Sequence, residues 1–192
     1  MAITKTMSTS KKVYNPKYIF ITPFTSEIVK GTKTYQCEEI IRDSTTITQE
    51  DNTENPVENE LSSTPIINNI QAGQYTVATE IADLQPDLLK DLFGFTVNST
   101  NNQAFAPSGY VTKFAEFALV FQDSAGKYIA AILPKVQLSP TVTIDSLSTS
   151  LGRIALGGTG SLFEVEYTSS SGGAKTKIST PFYMDFDYTL PS

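Results

Sequence analysis

Two acidic doublets have a spacing that could do chemistry. Glu164 and Glu166 sit in LFEVEYT (162–168), and Asp185 and Asp187 in ISTPFYMDFDY (178–188), each pair split by one apolar residue. On an extended strand that spacing puts both carboxylates on one face, about 7 Å apart, a separation used by the acid and base of inverting glycosidases. The same alternation also describes a strand whose polar face meets water or another subunit. With no tryptophan in the chain, no indole platform exists for a sugar ring. The surface reading is therefore the expectation, and a carboxylate glycosidase is the rival.

Other chemistries fall to composition. The chain has no histidine, which removes Ser/His/Asp and Cys/His triads, HExxH zinc sites and imidazole bases together. A single cysteine, Cys37, makes no internal disulfide and reads as a small packing residue in a reducing compartment. The stretch LGRIALGGTGSLF carries glycines at 152, 157, 158 and 160, but no GK[ST] follows and GxGxxG spacing is missing, so a glycine-rich bend or bulge between strands is predicted. Asn98-Ser99-Thr100 fits a glycosylation acceptor, which means nothing without a secretory route. No EF-hand spacing is present; no metal and no cofactor is expected, and no catalytic residue is assigned. With no apolar run near the roughly 18 residues of a membrane span and no apolar signal core, a soluble protein made in the cytosol is expected.

The charge is polarised along the chain. Asp43, Glu50, Asp51, Glu54, Glu58 and Glu60 lie in DSTTITQEDNTENPVENE without a Lys or Arg, and these six acids match the whole net charge of −6. Before them, Lys5, Lys11, Lys12, Lys17, Lys30 and Lys33 face only Glu27. Lys5, Lys11, Lys12 and Lys17 on an N-terminal arm and the six acids on a long loop at about 43–65 are the candidate contacts between neighbouring copies. The arm covers 1–16, and 17–192 form one domain, as the length of 192 residues suggests.

The elements that position these residues are mostly strands. YIFITPF (18–24), interrupted by Pro23, reads as an edge strand or a strand end, and Gly31 marks a hairpin between 27–30 and 34–41. QYTVATEI (74–81) alternates and leads to DLQPDLLKDLFGF, where Pro86 starts and Gly94 stops a helix of about two turns over 86–93. Residues 110–122 and 128–138 are apolar on both faces and are joined by DSAGK, a hairpin at the covered centre of the sheet. Strands at 162–168 and 178–188 bracket SSSGGAK. The fold class is mainly β, a β-sandwich or half-barrel with one short flanking α-helix.

TVATEIADLQPDLLKDLFG (76–94) resembles the strand-to-helix segment of major tail proteins, the tail tube proteins of long-tailed bacteriophages. The central hairpin DSAGKYIAAILPKV and the aromatic-rich C-terminal strands follow that family's order of elements, over roughly residues 11–190. The resemblance implies a structural virion protein that polymerises into stacked hexameric rings around a lumen for genome delivery. It implies assembly in the host bacterial cytoplasm and residence in the virion tail. Implied partners are further copies of itself, a tape measure protein, and tail terminator and baseplate proteins. Viral DNA would pass through the lumen without specific binding, and an acidic chain whose arginines are Arg42 and Arg153 suits a channel that does not grip phosphate. A receptor-binding or baseplate β-sandwich module of a phage tail is the second reading.

Overall fold

The computed structural model describes residues 16–191, apart from 39, 42, 60–61, 83–84, 102, 110, 140, 144–152, 169–172 and 174; for 55–59, 62–70 and 142–143 it describes the backbone. Among the described residues the strands are, in order, β1 (Tyr18–Ser26), β2 (Val29–Lys30), β3 (Tyr35–Cys37), β4 (Thr46–Gln49), β5 (Thr53–Asn59), β6 (Ser62–Gln71) and β7 (Tyr75–Ile81). The helix α1 (Pro86–Phe93) follows, then β8 (Thr96–Asn98), β9 (Gln103–Phe105), β10 (Phe114–Gln122), β11 (Tyr128–Leu138) and β12 (Thr141–Thr143). The chain ends with β13 (Arg153–Gly160), β14 (Phe163–Thr168), β15 (Lys175–Thr180) and β16 (Tyr183–Asp185). The expected class holds: mainly β, with one short helix among the described residues.

One large antiparallel sheet runs β2-β1-β10-β11-β13-β7-β4, with β3 on β1, β12 on β13 and β16 on β11. It curls on itself. The chain leaves β3, which pairs with β1, and reaches β7 at the Ile40–Ile81 bridge, where the Ile41 N–H also donates to the Glu80 carbonyl at 2.9 Å.

Strand alternation fills the inside. Ile19 and Ile21 of β1, Ala115, Phe117 and Leu119 of β10, and Ile154 and Leu156 of β13 all point into one buried cluster with Val77 and Ile81 of β7. On β11 the inward set shifts parity, from Ala131 and Leu133 to Val136 and Leu138. A bulge makes this possible: Ala115 pairs with Val136 but Phe117 pairs with Leu133, so β11 carries one extra residue around Pro134. Proline has no N–H for the ladder, and a bulge is where a strand tolerates it. Each such Leu, Ile or Phe, fully buried, stabilises the fold by about 1.5–3 kcal/mol. Cys37 is buried in the same cluster, as its packing role predicts.

Helix α1 forms where the sequence places it. Pro86 stands at the first turn with Asp87 beside the positive end, and Gly94 ends the helix at φ 74° with its N–H bonded back to Lys90. Leu88, Leu92 and Phe93 enter the barrel core. Outside the barrel, Phe20, Ala118, Val120, Ala130 and Ile132 form a second cluster, packed under Tyr18, Tyr128, Tyr183, Tyr188 and Leu190. Strands β10 and β11 are therefore covered on both faces, as their sequence implies.

Five expectations need correction. Residues 18–24 are neither an edge strand nor a strand end: β1 runs on to Ser26 and lies between β10 on one side and β2 and β3 on the other. The predicted loop at about 43–65 is built of strands: β4 extends the sheet beside β7, and β5 pairs with β6 as a separate two-stranded sheet. Polarity argues against core strands, but a ladder pairs backbone N–H and C=O groups whatever the side chains. The turn near Gly31 lies at Glu27–Ile28 instead, between β1 and β2, because β1 runs on to Ser26. Glycines 157, 158 and 160 do not form a bend; they lie in β13 between β11 and β7. A Cβ at Gly158 would stand 2.2 Å from the Gln137 carbonyl oxygen, so close approach of β11 explains the glycine. Finally, 178–188 is no single strand. It breaks at Pro181 into β15 and β16, and the Thr180 hydroxyl donates to the Phe182 carbonyl at 2.7 Å across the break.

Candidate self-association surfaces

The arm residues Lys5, Lys11 and Lys12 lie outside the described residues, as does Glu60. Lys17 is set against the barrel wall. Its N–H donates to the Val120 carbonyl at 2.7 Å, and its ammonium lies 5.4 Å from the Tyr18 ring centre and 5.9 Å from that of Tyr128. Asp43 is exposed with φ 59°, in the left-handed region, at the bend between the Ile40 bridge and β4. Glu50, Asp51 and Glu54 are exposed where β4 passes into β5. The Glu50 N–H donates to the Gln74 carbonyl at 2.9 Å, and Gly73 lies so close to that backbone that a Cβ would overlap the Glu50 carbonyl oxygen. Glu58 lies in β5, at the register shift between Val57 and Asn59. The described acids thus flank the edge strand β4, with Asp43 before it and Glu50 and Asp51 after it, and continue into β5.

The first acidic doublet is neutralised from the neighbouring strand. In the β14–β15 register Glu166 stands opposite Lys177, and Lys177 Nζ reaches Glu164 at 2.6 Å while Lys175 Nζ reaches Glu166 at 3.2 Å. The Glu164 carboxylate holds the Lys177 ammonium above its usual range. Asp185 and Asp187 do not share a strand. The Asp185 carboxylate accepts the Asp187 N–H at 3.0 Å in a turn, and Asp187 pairs with Lys127 at 3.4 Å. Three of the four carboxylates, Glu164, Glu166 and Asp187, are thus paired with lysines.

The opposite face of β14–β15 is uncharged, with Phe163, Val165, Tyr167 and Ile178 beside Thr176 and Thr180. Val165, Tyr167 and Ile178 look into an open cleft of about 670 Å³ whose other wall is Phe182, Met184 and Phe186. Tyr167, Ile178, Met184 and Phe186 are all exposed, at 43–53%. Sequence alternation marked the Phe163, Val165 and Tyr167 face, but exposure depends on the hairpin leaving the barrel, which alternation does not report. At its base the hairpin is held by Phe163, whose ring meets Phe24 edge-on at 5.3 Å, and nearby Phe182 stacks on Tyr75 at 5.0 Å.

Elsewhere the polar groups brace the barrel. Tyr35 donates its hydroxyl to Asp91 at 2.5 Å, and Lys33 meets Asp87 at 2.8 Å, tying β3 to α1. Burial, with the Asp91 hydrogen bond adding to it, pushes the Tyr35 phenol up to about 12. Burial likewise pushes Tyr183 and Tyr188 up to about 12, with the nearby Glu116 charge acting in the same direction. Glu80 and Arg153 pair at 3.0 Å between β7 and β13, beside an open pocket of about 470 Å³. No cluster of three or more His, Cys, Asp or Glu fit to hold a metal occurs among the described residues. No helix there is long and apolar enough to cross a membrane.

These features define a mainly β protein with one large antiparallel sheet that carries hairpins outside it. No family model and no curated protein matches the chain. Among solved structures, a chain of "Cryo-EM structure of the anti-feeding prophage (AFP) baseplate, 6-fold symmetrised" is similar at 12% identity with a TM-score of 0.41, over 93% of this chain and 97% of that one.

Proposed function

We propose that this protein is a structural subunit of a phage-type tail, polymerising through stacked rings into a tube that conducts the genome, with no enzymatic site. One observation carries the reading: β5–β6 and β14–β15, like the shorter β8–β9, form two-stranded sheets separate from the barrel sheet. An isolated two-stranded hairpin is marginal in water and gains stability from a partner surface. The exposed apolar side chains on β14–β15 and its adjoining cleft, and the acids leading into β5–β6, supply apolar and charged contact surfaces for such partners. The resemblance of residues 76–94 to tail tube proteins supports the same reading, since β7 and α1 occupy the strand-to-helix order it implies.

Negative-stain microscopy of the concentrated protein tests it. Hollow tubes or stacked rings are the expected result. Closed small oligomers that bind glycans would point instead to the receptor-binding or baseplate module, and a protein that stays monomeric at every concentration would overturn the proposal. If the acids at 43–60 contribute to stacking, replacing Asp43, Glu50, Asp51, Glu54, Glu58 and Glu60 by amides shortens the tubes and flattens their dependence on salt.

A further inference from the structure

We propose that copies of this protein join edge to edge through β14–β15, the β14 strand of one copy adding antiparallel to the β15 strand of the next. This rests on the self-association reading above and names its contact. The two strands form a sheet of their own, so alternate residues on each outer edge direct N–H and C=O groups away from the hairpin. No proline or glycine interrupts either strand. What singles the hairpin out is the sorting of its charges. β14 carries Glu164 and Glu166 and no base, while β15 carries Lys175 and Lys177 and no acid.

Within one hairpin those charges already match, at 2.6 Å for Lys177 with Glu164 and 3.2 Å for Lys175 with Glu166. A β15 edge offered to the β14 edge of a neighbour repeats that match in the same antiparallel sense. Two β14 edges, or two β15 edges, would bring like charges together, which is unfavourable directly across a ladder. The pairing is therefore directional. It joins unlike edges, leaves one free β14 and one free β15 at the ends of any open chain of copies, and closes only as a ring or continues as a filament. Val165, Tyr167 and Ile178 lie, with Thr176 and Thr180, on the opposite face from all four charges, so each added hairpin extends that uncharged face beside the cleft.

The test exchanges the charges while keeping the match inside the hairpin. A variant with E164K, E166K, K175E and K177E retains opposite charges between its own two strands, and circular dichroism and the melting temperature should equal those of the unaltered protein. Each protein alone should still self-associate. Mixed together under different affinity tags, they should co-purify about tenfold less than two tagged samples of the unaltered protein, because every mixed edge pairs like charges. Free mixing of two self-associating proteins would overturn the edge contact while leaving the tail reading standing; absence of self-association in both would sink the two together. A second pair guards against misfolding of the fourfold variant: K175E/K177E and E164K/E166K should each stay dissociated alone and associate when combined. Association of either one alone, or failure of the combination, counts against the proposal.

Discussion

The β10–β11 and β14–β15 hairpins use the same device and come to opposite ends. Both are antiparallel ladders with alternating side chains, yet β10–β11 is sealed on both faces. Phe117, Leu119 and Leu133 point into the barrel, while Val120 and Ile132 lie under the tyrosines of the C-terminal segment. In β14–β15 the polar face neutralises itself and the uncharged face opens to a cleft. The difference separates two tasks. Residues in the first hairpin hold the fold, and residues in the second hold little of it and remain available as a surface.

The sharpest way to break that contrast is a series of four substitutions read by urea unfolding. Phe117→Ala should cost about 3–5 kcal/mol, since it empties a fully buried site in the barrel. Gly158→Val should follow at about 1–3 kcal/mol, because its Cβ would meet the Gln137 carbonyl oxygen, and backbone cannot swing aside as a side chain can. Gly94→Ala should cost about 1 kcal/mol, as a left-handed φ of 74° suits glycine and Val111 lies 3.3 Å from the added carbon. At the far end, Ile178→Ala in the outer hairpin should change stability by less than about 0.5 kcal/mol, because its side chain is half exposed. A large loss there would mean that β14–β15 is part of the core after all.

Alkaline unfolding sharpens the outer cover of β10–β11. Tyr183 and Tyr188 sit near 12 in the folded protein against 10.0 for an ordinary phenol. Raised folded values mean that the native state holds these protons more tightly than the unfolded chain. Their contribution is complete below pH 10 and is lost as the pH rises through about 12. In a Tyr183→Phe/Tyr188→Phe protein, stability measured across that window should fall less steeply than in the unaltered chain. An unchanged slope would remove these phenols from the account.

Much of this was legible residue by residue. Pro86, Asp87, the spaced leucines and Gly94 specify α1 over 86–93 because every signal is local. The turn at 123–127 was equally plain: the Asp123 carboxylate accepts the N–H groups of Ala125 and Lys127, and Gly126 takes φ 83°. The candidate contacts were less legible. Sequence marked the acids of 43–60 but read their segment as a loop, because polarity argues against core strands and says nothing of a backbone ladder. It paired Asp185 with Asp187 on one strand, where Pro181 and a turn place them otherwise.

The sequence by itself determined the mainly β class, the helix, the central hairpin and the sorting of charge along the chain, for these follow from neighbours within a few residues. Tertiary structure decided how the sheet closes and which apolar faces stay outside. Closure depends on Ile40 meeting Ile81, and the open cleft depends on where a hairpin leaves the barrel wall. Such contacts join residues far apart in the chain, where side-chain periodicity carries no information about who meets whom.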